Sequence, residues 1–236
     1  MSQTLLTRGQ SSPKLTKGSA GIESVILHLA PGRTCPWATR GCLAACLNTA
    51  GRGAMSCVQV ARQRRTDWFF EDRVGFMRRL SRELRNLEKR AERAGFTPVA
   101  RLNGTSDIPW ESFHSLGGRS IFERHPGIVS YDYTKSVKRA YAALEADWPA
   151  NYSLTLSRTE DWLPGQVELH CSNDVNVAVV FDTPKGEPLP ETFEGVTVID
   201  GRVDDWRFKD PRGVVVGLSA LGKARRDTTG FVVRGA

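Results

Sequence analysis

At 236 residues, 40% apolar and 25% charged, the chain has the composition of a folded protein long enough to bury a sizeable core. A formal net charge of +7 favours a polyanionic partner without naming one. Its longest apolar runs fall well short of the roughly 20 residues that cross a bilayer, and the polar stretch from Met1 to Lys17 lacks the apolar segment of a secretion signal, so a membrane partner is excluded and a cytoplasmic location expected.

Residues 1–20, rich in Ser, Thr, Gly and Lys, read as an extended arm, and 21–236 as one α/β domain. The first strand is expected over Ser24–Leu29, running directly into a loop that carries Cys35, Cys42 and Cys46, with Cys57 following after ten more residues. Apolar positions at helical spacing then predict helices over 54–65 and 68–94, the second closed by Gly95 with Pro98 just beyond. A strand over Val99–Asn103 ends in Gly104-Thr105-Ser106-Asp107, and a helix is expected around Trp110 to Leu116, broken by Gly117-Gly118. Ile128–Tyr133 is a third strand, followed by Thr134-Lys135 and a helix from Ser136 to Glu145; Tyr152–Ser157 is a fourth. Val167–His170 and Val177–Phe181 read as the fifth strand region, with late strands at Val196–Ile199 and Val214–Leu218. Strands separated by helices or long polar loops predict a mainly parallel sheet. Helices are missing between the later strands, so the expected architecture is an incomplete parallel (β/α) barrel with an N-terminal cysteine-rich loop.

The spacing C-x6-C-x3-C, with bends at Pro36, Gly41, Gly51 and Gly53, suits soft thiolates converging on an iron-sulfur cluster. Structural zinc sites use two short knuckles or paired histidines, and this chain has neither a C-x-x-C nor a nearby histidine pair. Disulfides are disfavoured without a secretion signal; buried free cysteine is the plain alternative. Cys35, Cys42, Cys46 and Cys57 form the candidate metal set, with Cys171 the other candidate for a fourth ligand. His28, in the strand before Cys35, is placed to hydrogen-bond a cluster sulfur.

In α/β folds, ligand sites lie at the carboxyl ends of strands. There the sequence puts Asn103, Thr105, Ser106, Asp107, Asp132, Tyr133, Lys135, Ser157, Arg158 and Asn173. Asn103, Ser106 and Asp107 are the candidate cofactor-binding residues. The plain alternative has Asp107 capping the helix near Trp110 and Asp132 paired with a nearby cation.

Between Arg62 and Arg93, eleven basic residues face six acids, and arginine dominates. Arginine pairs bidentately with phosphate and stacks on bases. Arg62, Arg64, Arg65, Arg78, Arg79 and Arg82, with Arg225 and Arg226 behind Gly222-Lys223, are the candidate nucleic-acid contacts; a solvated helix face is the alternative. Trp68-Phe69-Phe70 and Trp206-Arg207-Phe208-Lys209 interleave aromatics with cations and are candidates to stack the bases of a single strand, against a core role for Phe69, Phe70 and Phe76.

A strand entering a cysteine loop, then helix, then strands ending in polar residues, resembles the radical SAM superfamily. The chain is also similar to a bacteriophage protein family with such a loop, through Arg101-Leu-Asn-Gly-Thr-Ser-Asp107 and Ser130-Tyr-Asp-Tyr-Thr-Lys135. The first resemblance implies a partial parallel barrel holding a 4Fe-4S cluster on Cys35, Cys42 and Cys46, with an open iron that binds the amino and carboxylate groups of S-adenosylmethionine. The C-x6-C-x3-C spacing departs from that family's C-x3-C-x2-C, and no aromatic flanks Cys46. The leading expectation is therefore an iron-sulfur protein whose cluster is mainly architectural and whose basic surface binds nucleic acid, DNA or RNA, in single-stranded form. The runner-up is an enzyme that cleaves S-adenosylmethionine reductively to modify a nucleotide or peptide; the third reading is a zinc-stabilised interaction module.

Overall fold

The computed structural model describes residues 4–9, 21–114, 117–184 and 186–235. Among these residues ten strands form one mixed sheet: β1 (Leu6–Arg8), β2 (Ile22–Leu27), β3 (Thr97–Arg101), β4 (Val129–Thr134), β5 (Tyr152–Ser157), β6 (Val177–Phe181), β7 (Thr192–Phe193), β8 (Val196–Asp200), β9 (Val215–Ser219) and β10 (Val232–Val233). Their order is β1-β2-β3-β4-β5-β6-β9-β8-β7, with β10 also pairing β6. The run from β2 to β8 is parallel throughout, while β1 and β7 are antiparallel edges. The sheet stays open and does not close into a barrel. The expected arm is described only in part: Leu6–Arg8 is the edge strand, and most of the remainder of 1–20 lies outside the described residues.

Six α-helices accompany the sheet among the described residues: α1 (Arg40–Ala44), α2 (Ser56–Glu71), α3 (Arg73–Ala94), α4 (Ile121–Arg124), α5 (Val137–Ala142) and α6 (Gln166–Cys171). The expected break between the long helices near residue 66 falls instead at Asp72, whose carboxylate accepts from the Gly75 amide at 2.9 Å and caps α3. α3 ends at Gly95 in the left-handed conformation, φ 71°, as its sequence predicts. Along α3, Phe76, Met77, Leu80, Leu84, Leu87 and Ala91 recur at helical spacing and are all buried. They pack with Phe69 against Val25, Leu27, Ala100 and Leu102 on one face of the sheet. Burying each of the larger side chains contributes about 1.5–3 kcal/mol.

Two expected elements change identity. Residues 167–170 belong to α6, whose Val167 and Cys171 pack on Val177, Val179, Phe181 and Val215. The segment around Trp110 is a single 3-10 turn, Trp110–Ser112, because Trp110 is drawn fully into the core beside Phe69 and Phe76; residues 115–116 lie outside the described residues.

The other sheet face decides where a site can form. Side chains alternate along each strand, and register places Ile22, Ser24 and Ile26 of β2 on the same face as Val99 and Arg101 of β3, with Tyr131 and Tyr133 of β4 beyond. Ile26, Arg101, Tyr133, Ser157, Val180 and Leu218 all line one cavity, although β2 and β9 stand five strands apart. A flat sheet would separate them by about 24 Å at the usual strand spacing. The sheet therefore bows around this face. Trp206 sits in the bow, packed on Ile26, Val99 and Tyr131, with Ile22, Val129 and Phe208 around it. Among the described residues no helix is long and apolar enough to cross a membrane.

Candidate metal centre and its cavity

The cysteine loop leaves β2 and is fixed by short local bonds. The Thr34 hydroxyl donates to the Ala30 carbonyl at 2.6 Å and the Cys35 amide donates to Gly32 O at 2.8 Å. Thr39 caps α1 by accepting from the Cys42 amide, 3.3 Å, so Cys42 lies in the first turn of that helix. The helix stops at Ala44. Cys46 is therefore beyond it, not one turn up the same face, and its sulfur accepts from the Asn48 amide at 3.4 Å as the cap of a 3-10 turn, Leu47–Thr49.

The inner side of α2 holds both ends of the loop with polar groups. Gln59 donates to Asn48 O at 2.7 Å and accepts from Asn48 Nδ2 at 2.9 Å; Arg62 Nη1 donates to Asn48 Oδ1; Thr66 Oγ1 accepts from the Ala30 amide at 2.8 Å. These three residues recur at i, i+3 and i+7, a stripe on one helix face. Arg62 is consequently buried at the cavity rather than displayed on the surface.

Cys35, Cys42 and Cys46 all line the cavity at the carboxyl ends of the strands, a space of about 400 Å³. That volume lies within the range of small-molecule and cofactor sites, roughly 300–1,000 Å³. Cys57 is exposed in the first turn of α2 and does not line it; Cys171 is buried in the separate cluster beneath α6. Small residues, Ala38, Ala45, Ala50 and Gly53, wall the thiol end. A methyl group on Gly53 would stand 3.0 Å from Asn48 O and 3.2 Å from Arg62 Nη1, so this wall is built close. Among the described residues no three Cys, His, Asp or Glu groups are set to hold a single metal ion. A multi-iron cluster binds each thiolate at a different iron and accepts a wider triangle.

The loop after β3 forms the facing wall. Asn103 Oδ1 accepts from Ser106 Oγ at 2.8 Å, the Ile108 amide at 2.9 Å and Trp110 Nε1 at 3.0 Å, while its Nδ2 donates to Ile108 O at 3.0 Å. Its side chain is thus engaged in shaping the loop. Gly104 comes so near β2 that an added Cβ would lie 2.7 Å from Ile26 Cγ2 and 2.8 Å from Leu27 O. Asp107 does not cap the turn at Trp110. Its carboxylate takes Arg139 Nη1 at 2.7 Å, the Lys135 amide at 2.9 Å and Thr134 Oγ1 at 3.2 Å, and its amide donates to Thr34 O at 2.8 Å, stitching this wall to the cysteine loop. Asp132, which unlike Asp107 forms no salt bridge among the described residues, accepts from the Asn103 amide at 2.7 Å and Tyr152 OH at 3.2 Å. Asn173 faces solvent after α6, and Arg158 reaches Gly230 O at 3.0 Å; neither lines the cavity.

Charge in this space is uneven. Burial pushes the Cys42 thiol up to about 11, with Lys135 beside it opposing the rise. Burial likewise raises Cys35 and Cys46. Burial, then Arg62, Arg101 and Arg65, lowers His28 to about 3, so its ring is neutral. Arg101 donates to Asp205 at 2.8 Å, and among the described residues its Nε and the buried Tyr133 hydroxyl find no partner. The Lys135 ammonium has Arg158 O at 3.1 Å and the Phe231 ring at 4.7 Å for company, and its pKa is lowered by burial. Among the described residues it makes no salt bridge.

Residues that the sequence left unmarked complete the site: Asn48 and Gln59, Arg101, and Glu160, which accepts from Thr39 Oγ1 and the Gly41 amide, both at 2.6 Å. Alternation with Val99 was the signal available for Arg101; nothing local marked Glu160. Of the arginines expected at nucleic acid, Arg64, Arg78, Arg82, Arg225 and Arg226 are exposed. Arg65 is half-buried and donates to Thr4 O at 3.2 Å, and Arg79 pairs with Glu83 at 2.5 Å. The aromatics expected to stack bases are engaged inside: Phe69 and Trp206 are buried, and Trp68, Phe70 and Phe208 pack against the core.

The family model for gene product 88, a phage-type family, matches residues 2–235, and the chain belongs to that family. No curated protein and no solved structure matches it.

Proposed function

We propose that this gene product 88 protein holds a 4Fe-4S cluster on Cys35, Cys42 and Cys46 and leaves the fourth iron open toward the cavity for S-adenosylmethionine. One observation carries the reading: of five cysteines, these three line a single cavity, while Cys57 and Cys171 stand outside it. The donor set fits. Three soft thiols come from a loop pinned at both ends and line a space of about 400 Å³ with alanines and a glycine beside them. When bound and reduced, such a cluster supplies an electron for cleaving a sulfonium carbon–sulfur bond.

The chain's own residues hold and orient the ligand. Lys135, a buried ammonium beside Cys42 that forms no salt bridge among the described residues, is the anchor for a ligand carboxylate. Neutral His28 and the loop Gly104–Ser106 shape the wall next to the thiols. Arg101 Nε and the Tyr133 hydroxyl, without partners among the described residues, face the cavity from the strands and fit a second, polar substrate.

A second reading, an architectural cluster closed by a protein ligand, draws on His28, whose ring lines the same cavity. Anaerobic purification with iron, sulfide and zinc analysis, followed by electron paramagnetic resonance of the reduced protein with and without S-adenosylmethionine, separates the two. A cluster spectrum that shifts on adding the compound supports the open iron. A spectrum that ignores it supports closure, and His28→Ala should then open the site. Cys35→Ser, Cys42→Ser and Cys46→Ser should each lose most of the iron, whereas Cys57→Ser and Cys171→Ser retain it. Zinc in place of iron, or no metal at all, would overturn both readings.

A further inference from the structure

On α3 the two signs of charge are sorted to different flanks. The helix carries eight cations and three acids. Glu83 is turned toward β1, where its carboxylate accepts from the Leu5 and Leu6 amides at 2.9–3.1 Å and pairs with Arg79. Glu88 is bonded to His125 at 2.8 Å, and Arg90 reaches Glu23 on β2 at 2.7 Å. Arg73, in the first turn, lies over the Phe69 and Phe113 rings; what remains outward further along is Arg78, Arg82, Arg85, Lys89 and Arg93, all exposed, with Glu92 the single acid beside them at the C-terminal end. At 100° per residue these five fall within an arc of about 80°, and at 1.5 Å per residue they run about 22 Å. Among the described residues none of the five forms a salt bridge. Like charges at i, i+3 and i+4 repel and destabilise a helix, so this stripe opposes folding instead of supporting it.

From this sorting we infer that α3 is a docking ridge for the sugar–phosphate backbone of a nucleic acid, bound without reading its bases. Charge complementarity fixes the occupant: a straight cationic row, mostly arginine, matches a regular polyanion, and arginine takes phosphate oxygens bidentately. The stripe contains no aromatic, and the aromatics of the neighbouring segment are packed inward. Base stacking, the usual device of single-strand binders, is therefore missing from it. The ridge fits a duplex, whose phosphates are outermost, at least as well as a single strand. The inference is independent of the metal centre, because α3 packs on the sheet face opposite the cavity.

The test is fluorescence anisotropy of the full chain with labelled short duplex and single-stranded DNA of mixed sequence, across a salt series. Five phosphate contacts predict a loss of about 500-fold in duplex affinity between about 50 mM and 200 mM salt. The variant R82Q/R85Q/K89Q should bind more weakly and flatten the slope of log K against log salt by about 2.7, and R82K/R85K should restore most of the binding. Circular dichroism checks that the variants keep the wild-type helix content. Undetectable duplex binding at low salt, a triple variant that binds like wild type, or single-strand binding indifferent to these residues would each overturn the inference.

Discussion

Glu160, in the loop after β5, accepts hydrogen bonds from the Gly41 amide and the Thr39 hydroxyl, both at 2.6 Å, and so ties the cysteine loop to a segment 119 residues further along the chain. The carboxylate satisfies a buried backbone donor and orients the residue that caps α1 at Cys42.

Glu160→Ala should therefore loosen the cysteine loop more than its half-buried position implies. Leaving the Gly41 amide without a partner costs about 1–3 kcal/mol. Thermal unfolding should show the lowered stability, and iron retained after anaerobic gel filtration should fall. A variant matching wild type in both would mean that Glu160 plays no part in holding the loop.

Lys135→Met should separate cluster from ligand. The side chain keeps its length and loses its charge, and none of the bonds that pin the cysteine loop involves Lys135 Nζ. Iron content should match wild type, while the spectral shift produced by S-adenosylmethionine needs at least about tenfold more compound, one charge-assisted bond having been removed. An unchanged response would remove Lys135 from the ligand site.

Asp132 predicts a pH dependence of stability. Burial raises its carboxyl to about 7, against which Arg101 and the bonds from Asn103 act only in part. The unfolded carboxyl titrates near 3.9, so the folded state holds the proton more tightly. This contribution to stability is complete below about pH 4, declines as pH rises toward 7, and is lost above it. Asp132→Asn, a neutral isostere, should flatten that decline in urea unfolding measured between about pH 5 and pH 8. Equal slopes for variant and wild type would show that Asp132 is ionised in the fold.

The thiol cluster and the strand ends were legible because each rests on a local signal: cysteines in a bend-rich loop, and strands running into polar turns. Membership of Cys57 was not. Two 3-10 turns, Leu47–Thr49 and Gly51–Ala54, carry the chain away from the cavity before α2 begins at Ser56, leaving Cys57 in solvent. Arg62 misled for a related reason. Arginine at a helical position reads as surface, yet Gln59, Arg62 and Thr66 form the inner stripe of α2 because the loop they face is made of unsatisfied carbonyls and amides.

The same limit explains the carboxylates. Asp107 looks like a cap to the next helix in sequence, but its partners Thr134, Lys135 and Arg139 come from β4, the turn after it and α5, more than 25 residues on. Periodicity found α3 and its buried face, and composition found its positive charge. Only the folded partners of Glu83 and Glu88 show that the acids are withdrawn from the outer flank.

Trp206 carries a consequence for where a guest sits. It wedges into the bowed sheet on Ile26, Val99 and Tyr131, deeper along the strands than Arg101 and Tyr133, and stoppers that end. With that end of the face filled by apolar side chains, a guest in the cavity is left to sit among the polar strand ends and the three thiols.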